Sequence, residues 1–493
     1  MTAHSPEPYP STLDPTWHMR KQNYPLFACF LLAFIAPAQS ADKPQAFARA
    51  DLAAANTLRE RALADDTAWQ LVSSLTTEVG PRPAGSAGDK AAVAWAQREM
   101  LRLGFSNIQT VETLVPHWVR GEAHFQVLAP WPQEMPTLSL GGSVGTAAEG
   151  LEAEAVMVKD LAALAALPAG AVKDKIVFFS NRMERTRDGS GYGSAVAVRA
   201  TGPSAASALG AVGVVIRSIS TSDLRFPHTG ALRYAATSPR IPALAISNPD
   251  ADALERQFAS GQPVRLRLKS SARELPQARS ASVVGDIPGS DRAQEIVLLG
   301  AHLDSWDPGV GALDNGAGVA IMMGVANLIR GLDVKPRRTI RVALFANEEF
   351  GTSGSLAYIA AHQADVDQHV LGFEADFGAG PVWRLSSRVN PTQLPVVDQI
   401  YRALAPLKLE RGGNQARGGA DLDALAKLGM PLLEPNLDGT NYFDVHHTAN
   451  DTLSQIDPQA LRQSVAAFGV TVWLGSQYSG SWDRVTESKP PRR

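Results

Sequence analysis

Cysteine is almost missing from this chain: Cys29 is the only one. That scarcity excludes a disulfide framework, a thiolate zinc site and a cysteine nucleophile. An excess of one charge is missing too. Lys and Arg number 46 against 49 Asp and Glu, a net charge of −3, which gives no electrostatic case for nucleic acid or an anionic membrane as main partner. The apolar stretch Pro25 to Ile35 is short of the roughly 20 residues that span a bilayer. No internal repeat and no coiled-coil heptad recurs. The glycine-rich Asp188-Gly189-Ser190-Gly191-Tyr192-Gly193 lacks the Lys-Ser/Thr ending of a phosphate-binding loop, so that reading is excluded as well.

What remains is an ordinary globular composition, 45% hydrophobic and 19% charged over 493 residues, long enough for two domains. Residues 1–41 read as a signal peptide whose true start is Met19. Met19-Arg20-Lys21 is a basic start, Pro25 to Ile35 an apolar core, and Ala36-Pro37-Ala38 a cleavage site, with Ala41 as a second choice. Cleavage removes Cys29 and leaves no membrane anchor, so the mature chain is expected in the periplasm or the medium.

Helical spacing is expected over 42–65, 68–77 and 87–103, with a strand over 108–114. From about 121 to 280 short strands and turns dominate, which suggests a β-rich module inserted into an α/β chain. After 281 strands and helices alternate to Tyr478, predicting a mixed, mostly parallel sheet flanked by helices, built from 42–120 and 281–480. Residues 481–493 read as a disordered tail.

The chemistry-bearing residues follow buried-looking runs. Ile296 to Ala301 leads into His302, Ile340 to Ala346 into Glu348 and Glu349, and His369 to Phe373 into Asp376. Open α/β sheets place active sites at the carboxyl ends of such strands. Asp304 shares a face with His302 and can hold its second ring nitrogen. A glycine-rich loop, Gly309 to Gly318, presents Asp314 twelve residues after His302, a candidate carboxylate bridge between two ions. His446 and His447 supply late imidazoles, with Asp451 able to orient them. Adjacent Glu348 and Glu349 point different ways, which suits one ligand and one general base. Two metals about 3.5–4 Å apart would activate water and polarise a carbonyl. Histidine with carboxylate favours zinc, leaving cobalt and manganese open.

Gly80-Pro81-Arg82 with Gly85-Ser86, Pro116 to Gly121, His228-Thr229-Gly230, His302 to Trp306, Glu348-Glu349 and His446-His447-Thr448 occur in that order over about residues 50–475. In this combination the chain resembles the co-catalytic zinc exopeptidases, the family of glutamate carboxypeptidase II and bacterial leucyl aminopeptidases, and most of all their carboxypeptidase Q branch. The resemblance implies two zinc ions per chain: His302 and Asp376 on one, Glu349 and His447 on the other, Asp314 bridging. It implies Glu348 as general base and acid, a cis peptide at Asp314-Asn315, an oxyanion role for His446, and an aspartate near the substrate pocket at Asp421. It also implies that 121–280 is a protease-associated-like domain, which relatives use to cap the cleft and to dimerise, so a homodimer is open. The expected function is an exopeptidase acting on dipeptides or short peptides. An aminopeptidase of the same family is the alternative; a glutaminyl cyclase or a non-catalytic binding protein on this scaffold is disfavoured because all six metal-site positions are filled. Arg411, Asn414 and Arg417 lie in a loop that could meet a carboxylate.

Overall fold

The computed structural model describes residues 46–485. The expected signal peptide and residues 486–493 of the expected tail lie outside them. The chain passes through β1 (Ser106–Val119) and then makes β2 (Ala123–Ala129), β3 (Gln133–Met135), β4 (Thr137–Ser139), β5 (Leu151–Val158), β6 (Ile176–Phe179), β7 (Gly213–Arg217), β8 (Ala243–Ile246) and β9 (Arg265–Ser270). It returns with β10 (Arg273–Ile287), β11 (Arg292–His302), β12 (Arg338–Phe345), β13 (His369–Glu374), β14 (Val382–Arg388), β15 (Glu410–Arg411) and β16 (Leu432–Leu437).

Two sheets result. The first has the order β1-β10-β12-β11-β13-β16-β14-β15, the second β3-β2-β9-β5-β6-β7-β8-β4. In the first, β12, β11, β13 and β16 are parallel neighbours, while the pairs β1–β10 and β10–β12 on one flank and β14–β16 on the other are antiparallel. Ile296 to Ala301 is buried residue by residue. A parallel strand covered on both faces has no solvent side, so it reads as an unbroken apolar run rather than an alternation. The helix Ala317–Arg330 lies in a segment, Ala312–Arg330, long and apolar enough to pass for a membrane span, yet 94% of that segment's apolar window is buried. It packs between Thr67–Ser74 and Pro458–Gln477 as a core helix, which is why apolar residues occupy all its faces.

The module boundary expected at 280 falls inside β10. Arg273 pairs with Val119 and Asp286 with Ser106, so the strands that enter and leave the second sheet form one antiparallel ribbon belonging to the first. The second sheet has its own apolar cluster, including Phe125, Ile176, Phe178, Val215 and Leu254, while the opposite face, with Val177, Phe179 and Ile216, joins the main core.

The tail expectation fails for 481–485. Trp482 is only 4% exposed, its indole N–H donates to the Gly475 carbonyl, and the Val485 N–H donates to Gly429.

Candidate active site

Because β12 and β13 flank β11 in parallel, their carboxyl ends lie side by side; His302 ends β11, and Glu348-Glu349 and Asp376 follow β12 and β13. Asp314 enters from the turn Ala312–Gly316 ahead of the core helix; His446 and His447 follow the turn Tyr442–Asp444 after β16. The expected cis peptide Asp314-Asn315 is present.

Asp314 sits between two histidines. Its Oδ1 is 3.2 Å from His302 Nε2 and its Oδ2 is 3.1 Å from His447 Nε2. Each imidazole meets a second carboxylate: Asp376 Oδ1 lies 3.3 Å from His302 Nε2, and Glu349 Oε2 lies 3.2 Å from His447 Nε2. Glu348 gathers with His302 and Asp376, its ligand atom within 4.8 Å of theirs. All six sequence candidates therefore meet in one place.

The donor set fits divalent cations. Asp314 Oδ2 and Glu349 Oε1 are buried and accept no hydrogen bond, a costly condition for a carboxylate without a cation. Burial disfavours charged imidazole, yet Glu349 and Asp314 hold His447 protonated up to about 9, and Asp376 with Asp304 and Asp314 hold His302 well above its ordinary value. A cluster that drives protons onto ligand nitrogens attracts metal ions, whose binding displaces those protons.

Around this set lies a support structure. Buried Arg82 donates to the carbonyls of Leu303, Val310 and Gly311 at 2.6–2.8 Å, fastening the end of β11 to the loop that carries Asp314. Asn315 Nδ2 donates to the Ala375 carbonyl, tying that loop to the segment leading to Asp376. One expectation is refined and another needs correction. Asp304 stands at His302 Nδ1 as expected, its carboxylate 3.5 Å away, but its backbone carbonyl is nearer at 3.0 Å, and the carboxylate also accepts the N–H groups of Glu348 and Glu349. Asp451 does not orient an imidazole; it accepts the N–H groups of Leu313 and Asp314, at 2.6 and 3.2 Å, and so positions the Asp314 loop. In both cases backbone N–H groups, unspent at a strand end or loop, are the available donors.

The second sheet reaches the same site. The Thr229 carbonyl lies 3.3 Å from His447 Nδ1, which directs Nε2 at Asp314 and Glu349. The approach is tight: at Gly230, with φ +128°, a Cβ would lie 2.3 Å from Arg199 Nη1 and 2.7 Å from His447 Nδ1, so only glycine fits. His228 Nε2 is 2.8 Å from His446 Nδ1. Burial first, then the neighbouring imidazoles, keeps both rings well below the usual histidine range, so both are neutral. His446 Nε2 faces Asp314 Oδ2 at 3.4 Å without a hydrogen bond, and His228 Nδ1 is buried and unpartnered. Trp306, from the segment after β11, donates its indole N–H to Glu349 Oε2 at 2.5 Å.

Sequence reading singled out His228 and Trp306 only within motifs, without a role. Asp421 is buried with both carboxylate oxygens unpartnered, and its N–H donates to Glu374, a buried neighbour of the site whose carboxyl burial pushes to about 7. Of the arginine loop, Arg411 pairs with Asp398 at 3.0 Å and Asn414 accepts from Ser387 Oγ and the Val389 N–H. Arg417 lines a cavity of about 580 Å³ that also contains Asp376 and Glu374.

A family model described as peptidase family M28 matches residues 282–472. Carboxypeptidase Q of Bos taurus is 30% identical over 411 residues, 83% of this chain and 85% of that relative. The crystal structure of a peptidase M28 precursor from Shewanella amazonensis SB2B is 42% identical, covers 89% of this chain and 99% of its own, and has a TM-score of 0.87. A zinc aminopeptidase from Bacillus subtilis shares the fold, with a TM-score of 0.60 at 20% identity over 86% of this chain and 98% of that one.

Proposed function

This chain belongs to peptidase family M28 and is a metallopeptidase, and from that premise we propose that it is an exported di-zinc exopeptidase hydrolysing dipeptides or short peptides. The observation that carries the reading is Asp314 between His302 and His447, each imidazole completed by its own carboxylate, Asp376 or Glu349. His302, Asp376 and Asp314 would hold one ion, and His447, Glu349 and Asp314 the other. Zinc bound there supplies a Lewis acid that polarises the scissile carbonyl and lowers the pKa of water.

The side chains do the rest. Glu348 is free of the histidine contacts that occupy Glu349, and burial, then the charges of Asp376 and Glu349, raise its carboxyl well above the ordinary range. A base raised in this way holds a proton long enough to pass it on. Its carboxylate takes the proton of the attacking water and returns it to the leaving amine. His446 donates Nε2–H to the oxyanion that develops on the substrate carbonyl, a role in which its Nδ1 accepts from His228. Thr229 and Asp304 hold the ligand imidazoles through backbone carbonyls.

The second sheet is read as a protease-associated-like domain that walls the site with Arg199, His228 and Thr229. Export rests on the basic-then-apolar segment Met19 to Ala38. The relatives carry the names carboxypeptidase and aminopeptidase; a dipeptide with both ends free satisfies either polarity. The test is zinc-dependent hydrolysis of one dipeptide presented free, N-acetylated and C-amidated. Cleavage of the free form alone is expected. Cleavage that survives amidation but not acetylation makes it an aminopeptidase, and no cleavage of any form with two zinc ions bound overturns the reading.

A further inference from the structure

The cavity beside Asp376 has a charged group with no role in the chemistry above. Arg384, half-buried on β14, lines it together with Asp188, Glu374, Arg417, Glu434 and Asn436. The guanidinium is oriented on two sides. Its Nε donates to Asn436 Oδ1 at 3.2 Å, and its Cζ stacks 4.3 Å from the Trp383 ring. Asn436 is itself fixed, accepting from Ser386 Oγ at 2.6 Å and donating to Glu434. Among the described residues, the two terminal nitrogens of Arg384 have no hydrogen-bond acceptor and no carboxylate within ion-pair distance.

The acids of the same wall are engaged elsewhere. Glu434 accepts the N–H groups of Arg417 and Gly418 besides the Asn436 amide. Glu374 accepts those of Gly419, Asp421 and Leu422. Asp188 accepts the Ser190 N–H at 3.1 Å and feels the charge of Arg384 without an ion pair to it, and Asp376 faces His302. Arg187, stacked on Trp383 at 4.4 Å, is neutralised by Asp438 at 2.7 Å. Arg384 is thus a pre-oriented guanidinium whose forked edge is unspent, in a cavity that opens on a metal ligand. A planar fork of two N–H groups matches a carboxylate with both oxygens.

We propose that Arg384 is a specificity-determining residue that receives a carboxylate of the peptide substrate. The carboxylate is either the free C-terminus or an acidic side chain. In so far as the ligand is a peptide, this rests on the peptidase reading above.

The experiment compares wild type, Arg384→Gln and Arg384→Lys on pairs that differ in one carboxylate: Leu-Ala and its amide, Ala-Glu and Ala-Gln, Glu-Ala and Gln-Ala. The wild type should favour the carboxylate member of at least one pair by about tenfold or more, carried in KM rather than kcat. Arg384→Gln should erase that preference, and Arg384→Lys restore part of it. The pair affected identifies the source: the amide pair means the C-terminus, a Glu/Gln pair an acidic side chain. No preference in any pair, or a preference that survives Arg384→Gln, overturns the proposal. Calorimetric binding of the same peptides to zinc-loaded Glu348→Gln, with and without Arg384→Gln, separates the two claims. If the wild type cleaves nothing, the peptidase reading falls, and an affinity unchanged by Arg384→Gln overturns the carboxylate receptor as well.

Discussion

In the first sheet, His302, Glu348, Glu349 and Asp376 all lie at or just past the ends of neighbouring parallel strands. In the second, the residues that touch the site come from the helices Ser190–Ala195 and Ala197–Ala208 and the loop after β7, as Tyr192, Arg199, His228 and Thr229. The first sheet brings its proposed ligands together through strand register, so their convergence is a property of the fold. The second reaches the site through few contacts, the closest being His228 to His446, the Thr229 carbonyl to His447 and the close approach at Gly230. In the proposed chemistry, ligation and proton transfer therefore belong to the first sheet, and orientation of the late imidazoles to the second.

Four substitutions break or sharpen that division. The largest effect is expected for Glu348→Gln, which removes the proton acceptor and leaves the ligand set intact. Turnover should fall by about 10²–10⁴-fold, with metal content unchanged by elemental analysis. In the second sheet, His228→Ala should cost about 10²-fold in kcat with little change in KM, as loss of one oriented oxyanion donor does. His228→Gln, whose amide can still donate to His446 Nδ1, should recover most of it; equal loss in both variants would make His228 a packing residue only. Trp306→Phe removes the N–H that holds Glu349 and should weaken metal affinity by about 10–100-fold in a chelator competition.

The smallest effect lies at a buried acid outside the proposed metal site, whose hydrogen-bond partners are donors and whose titration is governed by burial first. Asp89 accepts from the Gly85 N–H and Ser280 Oγ, both at 2.7 Å, yet burial raises its carboxyl from 3.8 to about 6. Below pH 3.8 both folded and unfolded chains hold this proton, and above 6 neither does. Between these values only the folded chain holds it, so this contribution to stability is complete below 3.8 and lost as pH rises through 6. Asp89→Asn should flatten that part of the denaturation midpoint measured between pH 4 and 7.

The same contrast decides what the sequence could reveal. Ile296 to Ala301 and, but for Arg341 paired with Asp286, Ile340 to Ala346 are legible because a strand buried on both faces is apolar, and the proposed ligands stand at or just after the ends of such runs. The first half of β10 is not legible. Arg273-Glu274-Leu275-Pro276-Gln277 is polar and mostly exposed, and it is a strand only because β1 pairs with it. The docking of Trp482 under Gly475 depends on a tertiary contact that no local pattern records. His228 and His446 are 218 positions apart, Arg384 and Asn436 fifty-two. Their roles come from proximity across the fold, whereas spacing exposes only partners on one element. Asp304 and Asp451 were recognisable as supporting acids, but their acceptance of backbone N–H groups depends on where the strand end and loop leave those donors.

The central claim is that Asp314 joins two metal sites, and a metal count on the purified mature chain and on Asp314→Ala tests it most directly. The account predicts two zinc ions per wild-type chain and loss of both from the variant under the same dialysis. A single ion in the wild type, or two retained by Asp314→Ala, would contradict it.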